Sequence, residues 1–531
     1  MSERFAILRE MLSQTPSEEV WGQLVAYFSH WPNDEQKELA IEYAKQHLVG
    51  WEPQYFLAKD YQKHPCWPLV KHLDLQTKTL GKKAQKVLEL SPHIEALTLK
   101  ASQVQKMGAF LGELPHLRSL RIKNAVRWES LETLVPLKQL TSLHIENATA
   151  LLSIDSLSEL PQLEYLSLWC GASIESFQAF EALGKLQSLS LSGHGLQHFR
   201  AFHQLKKLRS LFVNFCHTIR DLSGLSGLES LVECHLVDIC SVRSLSGMES
   251  LKSLERLYFR GGAFEEVNAL SHLHRLVELG LEGSRRLVSL EGLRELHSLR
   301  KLVLRMCSAL ETLDGLPTHK SLKELDLSFC AGIRRLDALE EQPQIKHLDL
   351  AYCDSLENLD GISELETEGY IPIQGCRSLK CLDVRQGQFL SATHELYLSG
   401  CEALEQVLGL ETLEAMEALY SSNCSSLKRI GPFAEKGALK SLNLSGCRQL
   451  EKIEGLDVLS NLQELVLSYC ESLTGIHDIQ GLDKLSSLKV GGCPALRPVP
   501  AVPDMTSRAE VLEYQRSLQK VPAPDQLSFT F

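Results

Sequence analysis

The chain has 531 residues, 44% of them apolar, and a formal net charge of −12. An acidic balance disfavours nucleic acid as the main partner, because phosphate binding needs a basic face. No run approaches the ~20 apolar residues of a membrane span, and the opening MSERFAILREMLSQ is charged and amphipathic, without the apolar stretch of a secretory signal. No membrane is therefore expected, and the 15 cysteines are expected as reduced thiols in a cytoplasmic chain.

Residues 1–66 predict a helical N-terminal cap. Thr15-Pro16 starts a helix, with proline at the first helical position, and Trp21, Leu24, Val25 and Phe28 form its apolar face. Asn33 or Asp34 caps a second helix through Leu39, Ile41, Tyr43 and Ala44 to about His47, with Gly50 just past its end. A third short helix is expected over 53–62. Such a cap covers the apolar edge of whatever coil follows it.

Over residues 67–500 one phrase recurs: L-x-x-L-x-L-x-x-C-x-x-L-x-x-L-x-G-L-x-x-L. Its first apolar position falls at Val70, Ile94, Leu117, Leu140, Leu163 and Leu186, and onward to Leu485, which makes about nineteen coils by the repeat. A fixed period of this length signals a solenoid in which each repeat packs only against its neighbours. Within a unit the L-x-L phrase alternates every two residues, as a strand does. After the cysteine the apolar residues step by three, as at Leu450, Ile453, Leu456 and Leu459, which fits 3₁₀ turns better than a long α-helix. Gly224, Gly247, Gly292, Gly315, Gly361, Gly409 and Gly455 recur in one register, as a turn needing positive φ or close backbone packing.

Cys307, Cys330, Cys353, Cys376, Cys401, Cys424, Cys447, Cys470 and Cys493 follow the repeat, with one longer step, and Cys216 shares their register. Cys170 and Cys240 sit one residue off it. Stacked parallel side chains point alike, which does not suit disulfides, and no C-x-x-C suggests zinc. The position is expected to be inward and small, with the thiol buried against the next coil's backbone.

On these residues the chain resembles a leucine-rich repeat protein of the short repeat class, with cysteine at the asparagine-ladder position. The x-G-L turn is similar to repeats of protein-phosphatase regulatory subunits and of bacterial proteins. The L-S-G-C phrases at Leu398–Cys401 and Leu444–Cys447 also resemble plant immune receptors, but no G-x-x-x-x-G-K-[ST] nucleotide motif is present. The resemblance implies an α/β solenoid with a parallel concave β-sheet, a convex side of 3₁₀ and short turns, and helical caps at both ends. One coil, 364–391, carries Pro372 in its strand phrase and a two-residue insertion, and is expected to be irregular. Pro494, Pro498, Pro500 and Pro503 end the repeats, and residues 501–531 predict a short cap helix over Thr506–Lys520 and an extended tail.

No catalytic or cofactor motif stands out, and neither an enzymatic activity, a cofactor nor a metal is expected. Asp326, His347 and Asp349 fall on neighbouring strands, where an exposed polar ladder is the expected reading. The outward strand positions are the informative surface. Tyr165, Trp169, Phe212, Phe215, Arg256, Tyr258, Arg260, Lys301, Arg305, Glu324, Asp326, Phe329, Asp349 and Tyr352 place aromatic and charged side chains there. Aromatics and arginine are enriched at binding hot spots; they also stabilise a sheet by stacking between strands. The expected function is a protein-binding scaffold or recognition protein acting through this face. A regulatory subunit of a specific enzyme, and a sensor working with a partner effector chain in host–microbe or phage conflict, remain the alternatives.

Overall fold

A computed structural model describes residues 3–32, 35–48, 71–75, 85, 88–89, 91–171, 174, 176–193, 196–317, 321–365, 367, 371–386 and 394–519. The expected helix over 53–62, the capping residues Asn33, Asp34 and Gly50, Val70 and the tail fall outside them. By its contacts the chain divides into two compact units, Met1–Val237 and Asp238–Phe531.

The first unit begins with three helices, α1 (Glu3–Ser13), α2 (Glu18–Ser29) and α3 (Glu35–His47). The sequence reading did not anticipate α1. Helix α2 starts later than Thr15-Pro16 suggested, because Ser17 is the N-cap and its hydroxyl accepts the Val20 amide at 3.2 Å. Trp21, Leu24 and Phe28 are buried as predicted. In α3 the buried stripe is Ala40 and Ala44, while Leu39 is 64% exposed; residues four apart share a helix face, and Leu39 lies off it.

Eight parallel strands follow in the first unit, from His72–Asp74 to Glu233–Val237, each paired with the next in sequence. Alternation sets their faces: in Ser210–Asn214, Leu211 and Val213 are buried while Phe212 and Asn214 face outward. The step of three has a direct hydrogen-bond counterpart. The amides of Leu225, Leu228 and Leu231 donate to the carbonyls of Leu222, Leu225 and Leu228 at 2.9–3.0 Å, which is 3₁₀ geometry carried around the coil. One coil departs from it. Ala101–Gly112 forms an α-helix, α4, because Val104, Met107, Gly108 and Leu111 recur at mixed steps of three and four and bury one face.

The second unit opens with five parallel strands, Arg256–Arg260, Glu278–Gly280, Lys301–Val303, Glu324–Asp326 and His347–Asp349. The irregular coil lies where Pro372 predicted: the Leu350 amide still donates to Pro372 O at 2.9 Å, but no strand forms over the described residues 371–373. Pairing resumes with Cys381–Asp383, which is parallel to Gln406–Leu408, and a six-stranded sheet runs from Glu395–Tyr397 to Asp504–Met505. Its last strand is antiparallel to Ser487–Lys489. Helix α5 (Arg508–Leu518) packs beside it, with a Ser507–Glu510 capping box and the Gln515 amide donating to Ile479 O at 2.6 Å.

The glycine register answers to both anticipated causes. Gly315 and Gly361 have φ of 94° and 97°. Gly224 does not, but a Cβ there would lie 2.3 Å from the Phe199 carbonyl carbon, so close backbone approach excludes a side chain. The architecture is a leucine-rich-repeat solenoid: a short parallel strand in most coils, a second short strand in some late ones (Gln406–Leu408, Arg429–Ile430, Lys452–Ile453), 3₁₀ and irregular turns between, and a core of stacked leucines.

Candidate functional site

The cysteines build the floor beneath the outward face. The thiols of Cys330, Cys353 and Cys376 donate to the carbonyls of Leu304, Leu327 and Leu350 at 3.0–3.2 Å. Each of these carbonyls also accepts the amide of its own coil's cysteine. The partner is thus the preceding coil and not the next one, as the sequence suggested, because the carbonyl that caps each turn points forward along the stack; each thiol ties two coils together. Burial pushes the thiols up, to about 12 for Cys330, Cys401 and Cys470. They are therefore protonated donors at neutral pH. No disulfide forms among the described cysteines, and Cys240 is exposed. Where Ser284 replaces cysteine, its buried hydroxyl has no hydrogen-bond partner.

The residue just before the cysteine position turns the chain out of the strand and takes positive φ. In several coils it is glycine, as at Gly375 (76°), Gly400 (81°) and Gly446 (74°). In others it is asparagine or aspartate, as at Asn147 (59°), Asp238 (57°) and Asn423 (60°), and in five it is a large side chain: Phe215 (59°), Met306 (62°), Phe329 (62°), Tyr352 (60°) and Tyr469 (64°). Bulky residues rarely adopt this conformation. Sequence reading took Phe215, Phe329 and Tyr352 as strand positions; they stand one turn beyond, and only the periodicity of glycine at the same place hinted at it. All three remain exposed, at 42%, 36% and 44%.

In the first unit the outward residues are separated by serines. Tyr165 faces Ser142 and Ser188 across the sheet, and Trp169 faces Ser192. Both rings are about half exposed and lie among hydroxyls in place of an aromatic ladder. Phe212 stacks on His235 with centroids 4.5 Å apart. His144 lies 3.1 Å from Glu146, and its pKa is lowered by burial and by the Arg121 charge.

The second unit brings its predicted residues into a patterned surface. Tyr258 lies half-buried against Gly280, where a Cβ would meet its ring at 2.8 Å, and its hydroxyl bonds Glu278. Arg256 is half-buried on the same strand. Arg260 reaches Glu282 at 4.0 Å, and Lys301 pairs with Glu324 at 2.7 Å. Exposed pairs of this kind contribute little stability and chiefly fix side-chain direction. Arg305 sits over the Phe329 ring at 5.1 Å, and Phe329 stacks on Tyr352 at 4.6 Å and 11°. The ladder ends on Gly375, over which the Tyr352 ring lies.

Beside that aromatic ridge is a row of carboxylates. Asp326 and Asp349 are in register on adjacent strands. Asp326 accepts the Ser328 amide at 2.8 Å, and Asp349 the Ala351 amide at 2.9 Å. Burial pushes the Asp349 carboxyl up and the Asp326 charge adds to it, against the Ala351 amide and Arg305. A cavity of about 480 Å³ opens here, lined by Lys301, Glu324, Asp326, His347, Asp349 and Pro372. Among the described residues no group of three His, Cys, Asp or Glu is placed to hold a metal ion, and no helix is long and apolar enough to cross a membrane.

No family model matches the chain, and no curated protein matches it. Similar folds occur among solved structures. An internalin (inlF) of Listeria monocytogenes is 18% identical with a TM-score of 0.42, over 59% of this chain and 82% of that one. A leucine-rich-repeat protein of Leptospira interrogans is 18% identical with a TM-score of 0.40, over 85% of this chain and 95% of that one. The functional domain of InlJ from Listeria monocytogenes, which includes a cysteine ladder, is 14% identical with a TM-score of 0.36, over 80% and 74%.

Proposed function

We propose that the chain is a non-enzymatic recognition scaffold that binds a protein partner through the outward face of its sheet, centred in the second unit on Phe329 and Tyr352. One observation carries this reading: large, exposed side chains occupy a turn position where other coils use glycine, asparagine or aspartate, the residues that adopt it most readily. A left-handed conformation costs a side-chain-bearing residue about 1–2 kcal/mol. Strain of this kind is found where function demands it. Exposed aromatics flanked by arginine have the composition of an interface hot spot, and the interleaved charges suit a specific protein surface better than a uniform polyanion. The mechanism is occupancy: the scaffold tethers, positions or blocks its partner.

The test uses glycine, which the turn accepts. The double variant Phe329→Gly/Tyr352→Gly is compared with wild type in affinity capture from the native cell, followed by affinity measurement on the purified pair. A partner bound by wild type, and bound at least tenfold more weakly by the variant, is expected. Equal affinity would overturn this site. If Tyr165→Ala/Trp169→Ala alone weakens the complex, the binding face belongs to the first unit.

A further inference from the structure

We propose that the acidic cavity beside the Phe329–Tyr352 stack is a pocket for a lysine or arginine side chain, and that the partner presents a basic residue next to an apolar one. The inference rests on the protein-binding reading above and adds the partner's chemistry.

The cavity carries a local excess of negative charge. Glu324 is neutralised by Lys301 at 2.7 Å, which commits the nearest lysine. Arg305 lies over the Phe329 ring and acts on Asp349 only through its field, which burial and Asp326 outweigh. Asp326 and Asp349 remain, one strand spacing of about 4.8 Å apart, and neither is in an ion pair among the described residues. The Oδ1 atom of each accepts a backbone amide two residues on. That fixes the carboxylates and leaves each Oδ2 to an incoming donor.

Two like charges side by side on a half-buried face repel one another, and a cation between them would relieve both. A guanidinium or ammonium supplies the several donors that paired carboxylates accept. A bare metal ion fits less well, since no third ligand converges. The aromatic ridge adds the second half of the recognition. Phe329 and Tyr352 stand at the ends of the same two turns that carry Asp326 and Asp349. Their faces are covered, those of Phe329 by Arg305 and Tyr352 and those of Tyr352 by Phe329 and Gly375, so their exposed edges offer the apolar contact. A segment that sets a basic side chain beside an apolar one therefore meets both features at once.

The test is a selection of random heptapeptides displayed on phage against the full chain, followed by calorimetry with the synthesised best peptide. Selected sequences are expected to pair Lys or Arg with an aliphatic or aromatic residue. Asp326→Asn/Asp349→Asn keeps the Oδ1 acceptors and is expected to weaken the peptide about tenfold or more. Replacing the basic residue by norleucine should weaken wild type equally and the Asn variant hardly at all. Phe329→Gly/Tyr352→Gly is expected to lose the peptide as well. Peptides without a basic residue, still lost with the aromatic pair, overturn the charge inference and leave the binding face standing. Peptides indifferent to both pairs overturn both. Enrichment of no sequence above background overturns recognition of a short basic–apolar segment.

Discussion

Two stretches of the second unit share one backbone and differ in one position. The coils ending at Cys307, Cys330 and Cys353 place Met306, Phe329 and Tyr352 in the left-handed turn; those ending at Cys376, Cys401, Cys424 and Cys447 place Gly375, Gly400, Asn423 and Gly446 there. Leucine burial and the thiol-to-carbonyl link are the same in both. The fold therefore does not require the large residues; glycine meets its needs with less strain. What differs is the surface at the turn, which is aromatic, charged and hollowed in the first stretch, whereas the second keeps its aromatic stack, Tyr397 on Tyr420 at 4.8 Å, on the strands. In the second it carries serines in register, such as Ser399, Ser422 and Ser445, with Ser422 donating to Ser399 at 2.9 Å.

The comparison is broken most severely at the junction of the two stretches. A Cβ on Gly375 would lie 2.3 Å from the Tyr352 ring, at a φ of 76°. Gly375→Ala must both adopt the left-handed turn and push the ring away, at a cost of about 3 kcal/mol. Repeat arrays do not unfold as one cooperative unit, so the readout is hydrogen exchange at the amides of Tyr352 and Cys353, which should quicken. Unchanged exchange would show that the ring is not held over the glycine.

The cysteine ladder runs through both stretches and should respond alike in each. Cys330→Ser is expected to destabilise its coil by about 1–3 kcal/mol, by leaving a buried hydroxyl short of its acceptor. Ser284 already displays that outcome, being buried without a partner. The reverse exchange, Ser284→Cys, should add the missing link and stabilise by about 1 kcal/mol. Native-state hydrogen exchange at the amides of each altered coil checks the pair. Opposite signs are expected; a stabilising Cys330→Ser would overturn the thiol as donor. Thiol-reactive reagent should label Cys240 readily in the native chain and leave Cys330, Cys401 and Cys470 untouched until unfolding, since burial holds all three near 12.

A smaller effect sharpens the contrast. Tyr352→Gly converts one stretch toward the other. It relieves about 1–2 kcal/mol of backbone strain, forfeits about 0.5–1.5 kcal/mol of stacking on Phe329, and raises the entropy of the unfolded chain. Stability should stay within about 1 kcal/mol of wild type, while partner affinity falls. Loss of stability on a par with Gly375→Ala would mean that the aromatic holds the coil together.

The repeat was legible because its signals are covalent and periodic. Leucines at steps of two and three specify strand and 3₁₀ turn without reference to the rest of the chain, and Pro372 marked the break in pairing. Helix α4 was not, since Val104 and Met107 keep the three-residue step of the repeat and only Leu111, four residues on, departs from it. The outward residues were legible as a set, but their partners were not. That Lys301 binds Glu324, that Tyr258 lies on Gly280, and that Phe329 sits beyond its strand depend on register between coils and on a single φ angle. Neither is written in residue type, except that glycine shares the Phe329 and Tyr352 position elsewhere.

The smallest expected effect concerns the charge that distinguishes the aromatic stretch. Burial, reinforced by Asp326, raises the Asp349 pKa. The folded chain therefore holds that proton more tightly than the unfolded chain does. Stability contributed at this site is greatest when the carboxyl is protonated, and falls as pH rises from the ordinary aspartate value through the raised one. Asp349→Asn keeps an oxygen for the Ala351 amide and has no charge to repel Asp326. The variant should match wild type in acid and become the more stable of the two as pH approaches neutrality, reaching a plateau above the raised pKa. Denaturant titrations across that range check it. A wild type more stable than Asp349→Asn at neutral pH would mean that the carboxylate is already compensated within the chain, and the cavity would then have no unmet charge to offer a partner.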